Sequence, residues 1–217
     1  MDENPYAAPQ ASVVENAPVP RLPGWSAGQL RLLGWLSLIS VFASLVLLLL
    51  ALGEEAVGEQ GKRLADWLGL ALMLLGSYLL LCLKGFAEAR FTAKGLSWPV
   101  WLMVLGGLLL ELLDFLFGAV MFESFNPQGI SYLLLMALYG AATLWLGVRL
   151  LRVENVYPAF RLLAWLNIAG GLLMASVVLV LLAIVPLLGS SLALMLVFWR
   201  GAAEQRVSFP GAVQVPG

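Results

Sequence analysis

The sequence predicts an all-α protein: a polytopic transmembrane bundle of about six helices, arranged as three helical hairpins with both termini cytoplasmic. Three observations predict it. Of 217 residues, 61% are apolar and only 12% charged, whereas a soluble domain carries roughly 25% charged and 45–50% apolar residues. Several apolar stretches reach about 20 residues, the length that crosses hydrocarbon. Ten of the twelve lysines and arginines fall on one side of the resulting topology, and the positive-inside rule makes that side cytoplasmic.

The chain opens with Asp2, Glu3, Glu15 and five prolines before Trp25. It has no apolar run of the signal-peptide type there. Residues 1–27 therefore read as a disordered cytoplasmic tail, and residues 207–217, with Pro210 and Pro216, read as a second one. Between them lies a helical domain over residues 28–206. Its first hairpin, about 31–90, comprises apolar runs from Arg31 to Leu52 and from Leu64 to Phe86. Lys62 and Arg63 fall in its outer loop with three glutamates. The second hairpin, about 97–154, has runs from Trp98 to Val120 and Ser131 to Leu151, with an outer loop near Glu123 to Gly129 that lacks basic residues.

The third hairpin, about 159–206, needs arbitration because Arg161 to Trp199 is a nearly unbroken apolar stretch. As one helix it would span roughly 55 Å, against about 30 Å of hydrocarbon. A tight outer turn between Ile184 and Gly189, at Pro186 and the Gly189-Ser190-Ser191 turn, gives two helices. One long tilted helix followed by a re-entrant segment is the alternative. Trp25, Trp67, Trp98, Trp101 and Trp199 fall near the proposed ends, as interfacial aromatics do.

Two motifs occur twice. Arg31-Leu32-Leu33-Gly34-Trp35-Leu36 recurs as Arg161-Leu162-Leu163-Ala164-Trp165-Leu166. Lys84-Gly85-Phe86-Ala87-Glu88-Ala89-Arg90 recurs as Arg200-Gly201-Ala202-Ala203-Glu204-Gln205-Arg206. The order of the motifs predicts a duplicated hairpin in the same orientation, unlike the inverted repeats of many transporters. The middle hairpin shows no convincing copy. Arg31, Trp35, Arg161, Trp165, Lys84, Arg90, Arg200 and Arg206 read as interface anchors, the arginines snorkelling to headgroups and Trp35 and Trp165 settling one turn deeper. On this reading Glu88, Arg90, Glu204 and Arg206 lie in water.

The candidate site is Glu111 and Asp114. Three residues apart, they share one helix face. Roughly 20 and 25 Å from Trp98 along the helix, they sit where a carboxylate costs on the order of 2.5–3.5 kcal/mol to insert. One reading is an intramembrane cation or proton site. The other is structural: Asp114 reaches the outer headgroups and Glu111 is hydrogen-bonded between helices, with Asn167, Ser37, Ser44, Ser77, Thr143 and Ser176 as available partners. Paired glycines such as Gly140 and Gly147, seven residues apart, suit close helix packing.

No catalytic, cofactor-binding or metal-binding constellation appears. Histidine is absent, which excludes Ser-His-Asp and Cys-His arrangements. No Walker loop, HExxH or paired CxxC occurs, and no basic block points to nucleic acid. The lone Cys82 forms no intrachain disulfide. Asn4-Pro5-Tyr6-Ala7-Ala8-Pro9 resembles the cytoplasmic N-terminus of small bacterial inner-membrane proteins, and this resemblance implies a bacterial inner-membrane location without adding site residues. The expected role is non-enzymatic, by helix–helix association within the lipid bilayer with a membrane partner or a second copy. The alternative is a small transporter or channel using Glu111 and Asp114.

Overall fold

The computed structural model describes residues 24–118 and 126–207. The N-terminal segment with Asn4 to Pro9, both expected tails beyond these limits and most of the second outer loop lie outside the described residues. Six α-helices account for the described chain: α1 Ala27–Leu52, α2 Glu54–Phe91, α3 Ser97–Phe117, α4 Pro127–Leu151, α5 Pro158–Ala175 and α6 Val180–Val207. All six carry a span long and apolar enough to cross a membrane. The chain is a multi-pass membrane protein.

Local chemistry sets the boundaries. Ser26 and Gln29 form a reciprocal capping box at the start of α1. Asn126 caps α4 by accepting from the Gly129 amide at 2.7 Å, with Pro127 as first helical residue. Pro158 likewise stands first in α5, without a side-chain cap. Thr92, in the left-handed region, ends α2.

Two boundaries differ from expectation. First, α2 does not begin at Leu64. Its regular part starts after Gly58, whose φ of +65° breaks the geometry, so Lys62, Arg63 and Asp66 are helical. Apart from Gly61 and Asp66, Glu59 to Asp66 consists of good helix formers, and its polarity resembles a loop. Second, the outer turn of the third hairpin is not at Pro186 but seven to ten residues earlier, between Ala175 and Val180. There Val177 takes φ +61°, and the Ser176 hydroxyl accepts from the Leu179 amide at 3.2 Å while donating to Leu173 at 2.6 Å. Pro186 sits inside α6, where it forfeits one amide, a loss membrane helices tolerate. Gly189, Ser190 and Ser191 are helical too, and both serine hydroxyls donate to the Leu187 carbonyl.

The helices form a closed ring. Each packs on its two neighbours in sequence, and α1 closes the circle against α6. The three hairpins α1–α2, α3–α4 and α5–α6 thus follow one another around an axis. Lipid tails are as apolar as leucine, so close packing rather than hydrophobic transfer must hold the ring. The most intimate seam, α4–α5, is built from glycines. A Cβ on Gly171 would strike the Leu144 backbone nitrogen and lie 2.7 Å from the Gly140 carbonyl oxygen. One on Gly140 would lie 2.5 Å from the Ala175 nitrogen, and one on Gly147 2.8 Å from the Ala164 oxygen. The seam α2–α3 is the sparsest.

The end of the ring carrying the first and last described residues is filled by Phe86, Phe160, Phe198, Leu30 and Leu150, all fully buried. The Gln205 amide there donates to the Trp25 carbonyl at 2.8 Å, tying α6 to the start of α1.

The repeated motifs occupy equivalent places. From Leu30 to Val41 and from Phe160 to Gly171 the pattern of buried and exposed positions is the same residue by residue. Ser37 donates to the Leu33 carbonyl, and Asn167 to the corresponding Leu163 carbonyl, at 2.9 and 2.8 Å. The one difference between the motifs has a cause: at Gly34 the indole of Trp199 occupies the space of a side chain, whereas Ala164 meets Gly147. The middle hairpin, expected to carry no copy, shares this register. Leu96, Pro99, Val100 and Met103 are buried and Trp101 is exposed, in step with Leu30, Leu33, Gly34, Ser37 and Trp35. The residue types differ, with Val100 in place of Gly34 and Met103 in place of Ser37, so the common pattern is one of burial alone.

Candidate functional site

A cavity of about 250 Å³ lies within the ring, on the far side of the aromatic core, and every helix contributes to its wall. Its polar lining is Ser40 of α1, Ser77 of α2, Tyr139 of α4, Asn167 of α5, and Ser190 and Ser191 of α6. Leucines and methionines, including Met73 and Met103, supply the rest. No Asp, Glu, Lys or Arg lines it.

Helix geometry determines what these groups offer. Hydroxyls in a membrane helix donate to carbonyls of the preceding turn, and so turn their acceptor lone pairs outward. Ser40 donates to the Ser37 carbonyl at 2.7 Å, and Ser190 and Ser191 donate to that of Leu187. Ser77 has only the Met73 sulfur, at 3.8 Å. Asn167 uses one amide hydrogen on its own helix, leaving its side-chain oxygen without a partner among the described residues. Tyr139 is clamped against α3, 3.2 Å from where a Gly106 side chain would begin. Its hydroxyl likewise has no partner among the described residues. The cavity therefore offers several acceptors and the Tyr139 donor on an otherwise apolar wall. Nothing in the periodicity of one helix announces this, because each helix supplies only one or two of the groups.

Glu111 and Asp114 are elsewhere. Neither lines the cavity. Glu111 lies against α2, one carboxylate oxygen 2.9 Å from where a Cβ of Gly69 would be. Asp114 is exposed and stands three residues, about 4.5 Å, from the end of α3. The groups in electrostatic reach are Asp66 and Lys62 of α2 and Tyr132 of α4. The extension of α2 beyond Leu64 toward its start brings Lys62 into reach of Asp114. The hydrogen bonds of Ser37, Ser77, Thr143, Asn167 and Ser176 go to their own helices. Among the described residues no three of His, Cys, Asp and Glu converge in a metal-ligating group.

The repeated basic segments do more than touch water. Arg90 and Glu204, expected to be solvated separately, meet across α2 and α6. Nε and one terminal nitrogen of Arg90 both lie 3.1 Å from the same Glu204 oxygen. The Tyr157 hydroxyl donates to that oxygen at 2.6 Å. Phe91 stacks edge-on against Tyr157 and Phe160, with ring centres 5.2 Å apart in each case, and the Arg90 guanidinium rests 5.4 Å above it. The pairing joins one motif copy to the other, because α1–α2 and α5–α6 are ring neighbours. Lys84 pairs within its own helix, with Glu88 at 2.9 Å. Arg31, Trp35, Arg161, Trp165, Arg200 and Arg206 are exposed or half-exposed at the same end of the ring.

Burial and the Glu204 carboxylate both push the Tyr157 hydroxyl well above its ordinary range. An acid whose folded-state pKa is raised stabilises the fold below its unfolded pKa and loses that stabilisation as pH rises. Thermal stability is therefore expected to fall above about pH 10, where an unfolded tyrosine ionises. Tyr157→Phe should show a shallower alkaline loss, and an unchanged pH slope would contradict the assignment.

No protein-family model, curated protein or solved structure matches the chain.

Proposed function

We propose that this chain is a non-enzymatic protein of a bacterial inner membrane, with both termini cytoplasmic, that binds a small uncharged amphiphile in its central cavity. The observation that carries the reading is the convergence of all six helices on one pocket whose Asn167 oxygen and Tyr139 hydroxyl have no partner among the described residues. A charged ligand there would be desolvated without a counter-ion. An apolar body with a hydroxyl or amide matches the leucine wall and the Tyr139, Asn167 and Ser77 groups. The volume lies between a benzene-binding cavity of about 150 Å³ and the roughly 300 Å³ at which drug-sized pockets begin. The orientation is supported by charge: of the described basic residues, only Lys62 and Arg63 lie at the end away from the first and last described residues.

Gly76 provides the test. It lines the cavity, and a Cβ added there meets nothing within 4 Å, so Gly76→Leu fills the pocket without distorting the ring. Phenol and short-chain alcohols should raise the melting temperature of the purified parent, by roughly 2.7 kcal/mol of stabilisation at 100 times the dissociation constant. The filled variant should not respond. A parent that responds to none of them, or a variant that responds equally, would end this reading.

Association with a membrane partner or second copy is a second reading, favoured by α3. From Val104 to Phe117 none of its residues is buried, and Asp114 is on that half. Cysteine crosslinking from Leu109 in native membranes should then trap a stoichiometric neighbour; only sporadic products would count against it.

A further inference from the structure

A second pocket, of about 360 Å³, lies between the start of α1 and the end of α6, lined by Arg31, Trp35, Trp199, Ala203 and Arg206. Its chemistry is unlike that of the central cavity. Arg31 and Arg206 come from opposite ends of the chain and are both exposed. Among the described residues neither has an acidic partner, because the one carboxylate nearby in sequence, Glu204, turns to Arg90 and Tyr157 on the other side of α6. The two indoles meet edge-on with ring centres 5.5 Å apart. Gly34 fixes that arrangement, since only a residue without a side chain leaves room for the Trp199 ring.

We infer that this pocket binds the phosphodiester headgroup of an anionic membrane lipid. Two guanidinium groups lining one pocket, with no counter-charge among the described residues, suit a phosphate, which arginine engages through paired N–H donors. The source is settled by surroundings. The pocket opens at the interfacial end of two membrane-spanning helices, and Trp35 and Trp199 offer amphipathic surface at the depth of a lipid's glycerol and upper acyl carbons. Basic pockets between transmembrane helices hold lipid headgroups by this combination.

The duplicated motif supplies an internal control. Arg161 and Trp165 match Arg31 and Trp35 in sequence and exposure, yet neither lines this pocket. Purified protein equilibrated in detergent with equal phosphatidylglycerol and phosphatidylcholine would be examined by native mass spectrometry. The parent should retain the anionic lipid with a preference of roughly tenfold. Arg31→Gln/Arg206→Gln should abolish that preference, Arg161→Gln should keep it, and Arg31→Lys/Arg206→Lys should lie between. Equal loss in Arg161→Gln would mean generic surface attraction and overturn the proposal, as would a preference that survives in the double glutamine variant. Displacement of the lipid by millimolar inorganic phosphate would overturn the lipid assignment in favour of a soluble anion. The double glutamine variant must melt like the parent; if it does not, the lysine pair against Arg161→Gln decides the matter alone.

Discussion

Gly171→Leu is expected to lower the stability of the bundle by about 3 kcal/mol or more, or to prevent its assembly. Inserting methylenes into a packed interface typically costs 1–3 kcal/mol because neighbouring side chains can move. At Gly171 the neighbours are backbone: the Leu144 amide nitrogen and the Gly140 carbonyl. Relief would require α4 and α5 to separate along the tightest seam of the ring. Gly140 faces the same seam from the other side, so Gly140→Leu should behave alike, and the double variant should cost less than the sum. Gly76→Leu adds the same atoms to open space and should not destabilise. Melting temperature and monodispersity in one detergent would report all four. Parent-like melting of Gly171→Leu would refute the close approach of α4 and α5.

Glu204→Gln is expected to cost about 2–3 kcal/mol. The carboxylate and Arg90 are 28% and 25% exposed, so the pair is mostly withdrawn from water but not sealed. Removing one partner of a fully buried pair costs 3–5 kcal/mol, because the remaining charge stays desolvated; partial exposure brings the figure down. A double-mutant cycle with Arg90→Gln isolates the interaction and should give a coupling within the 0.5–3 kcal/mol typical of residues in contact. Tyr157→Phe should lose less than Glu204→Gln, since it removes one neutral donor from an oxygen that Arg90 still engages. Strict additivity of Arg90→Gln and Glu204→Gln would sink the assignment of this cluster as the clasp between the first and third hairpins.

The helical class and the number of spans were legible because both depend on local composition, which Leu45 to Leu52 or Leu102 to Leu113 display unambiguously. The turn of the third hairpin was not. Pro186 and Gly189-Ser190-Ser191 carry stronger breaker signals than Ser176 and Val177, yet a membrane helix absorbs a proline and lets its serines donate to its own carbonyls. The true reversal uses a valine at positive φ, which no propensity favours. Similarly, Glu59 to Asp66 has the polarity of a loop and the geometry of a helix. The acidic pair stood out in the sequence because charge is conspicuous in an apolar run. The cavity did not, since Ser40, Ser77, Tyr139 and Asn167 are ordinary residues one at a time. Arg90 and Glu204 are 114 positions apart, and only the closure of the ring brings them together.

The helices differ in height, and this bears on the surrounding bilayer. The spanning part of α2 has 34 residues and α5 has 18, about 51 Å against 27 Å at 1.5 Å per residue. The third hairpin also turns back within a few residues at Val177, leaving no loop to reach the far surface. At α5 the wall of the ring is therefore slightly shorter than a hydrocarbon layer of about 30 Å, whereas its partner α6, with a span of 27 residues, exceeds that layer and α2 stands well proud of it. Lipids meeting the short flank must compress and those beside α2 must not, so the molecule imposes a tilted, locally pinched leaflet around itself. A mismatch of this kind is ordinarily relieved by helix tilt or by local thinning of the bilayer, at a cost of fractions of a kcal/mol per Å.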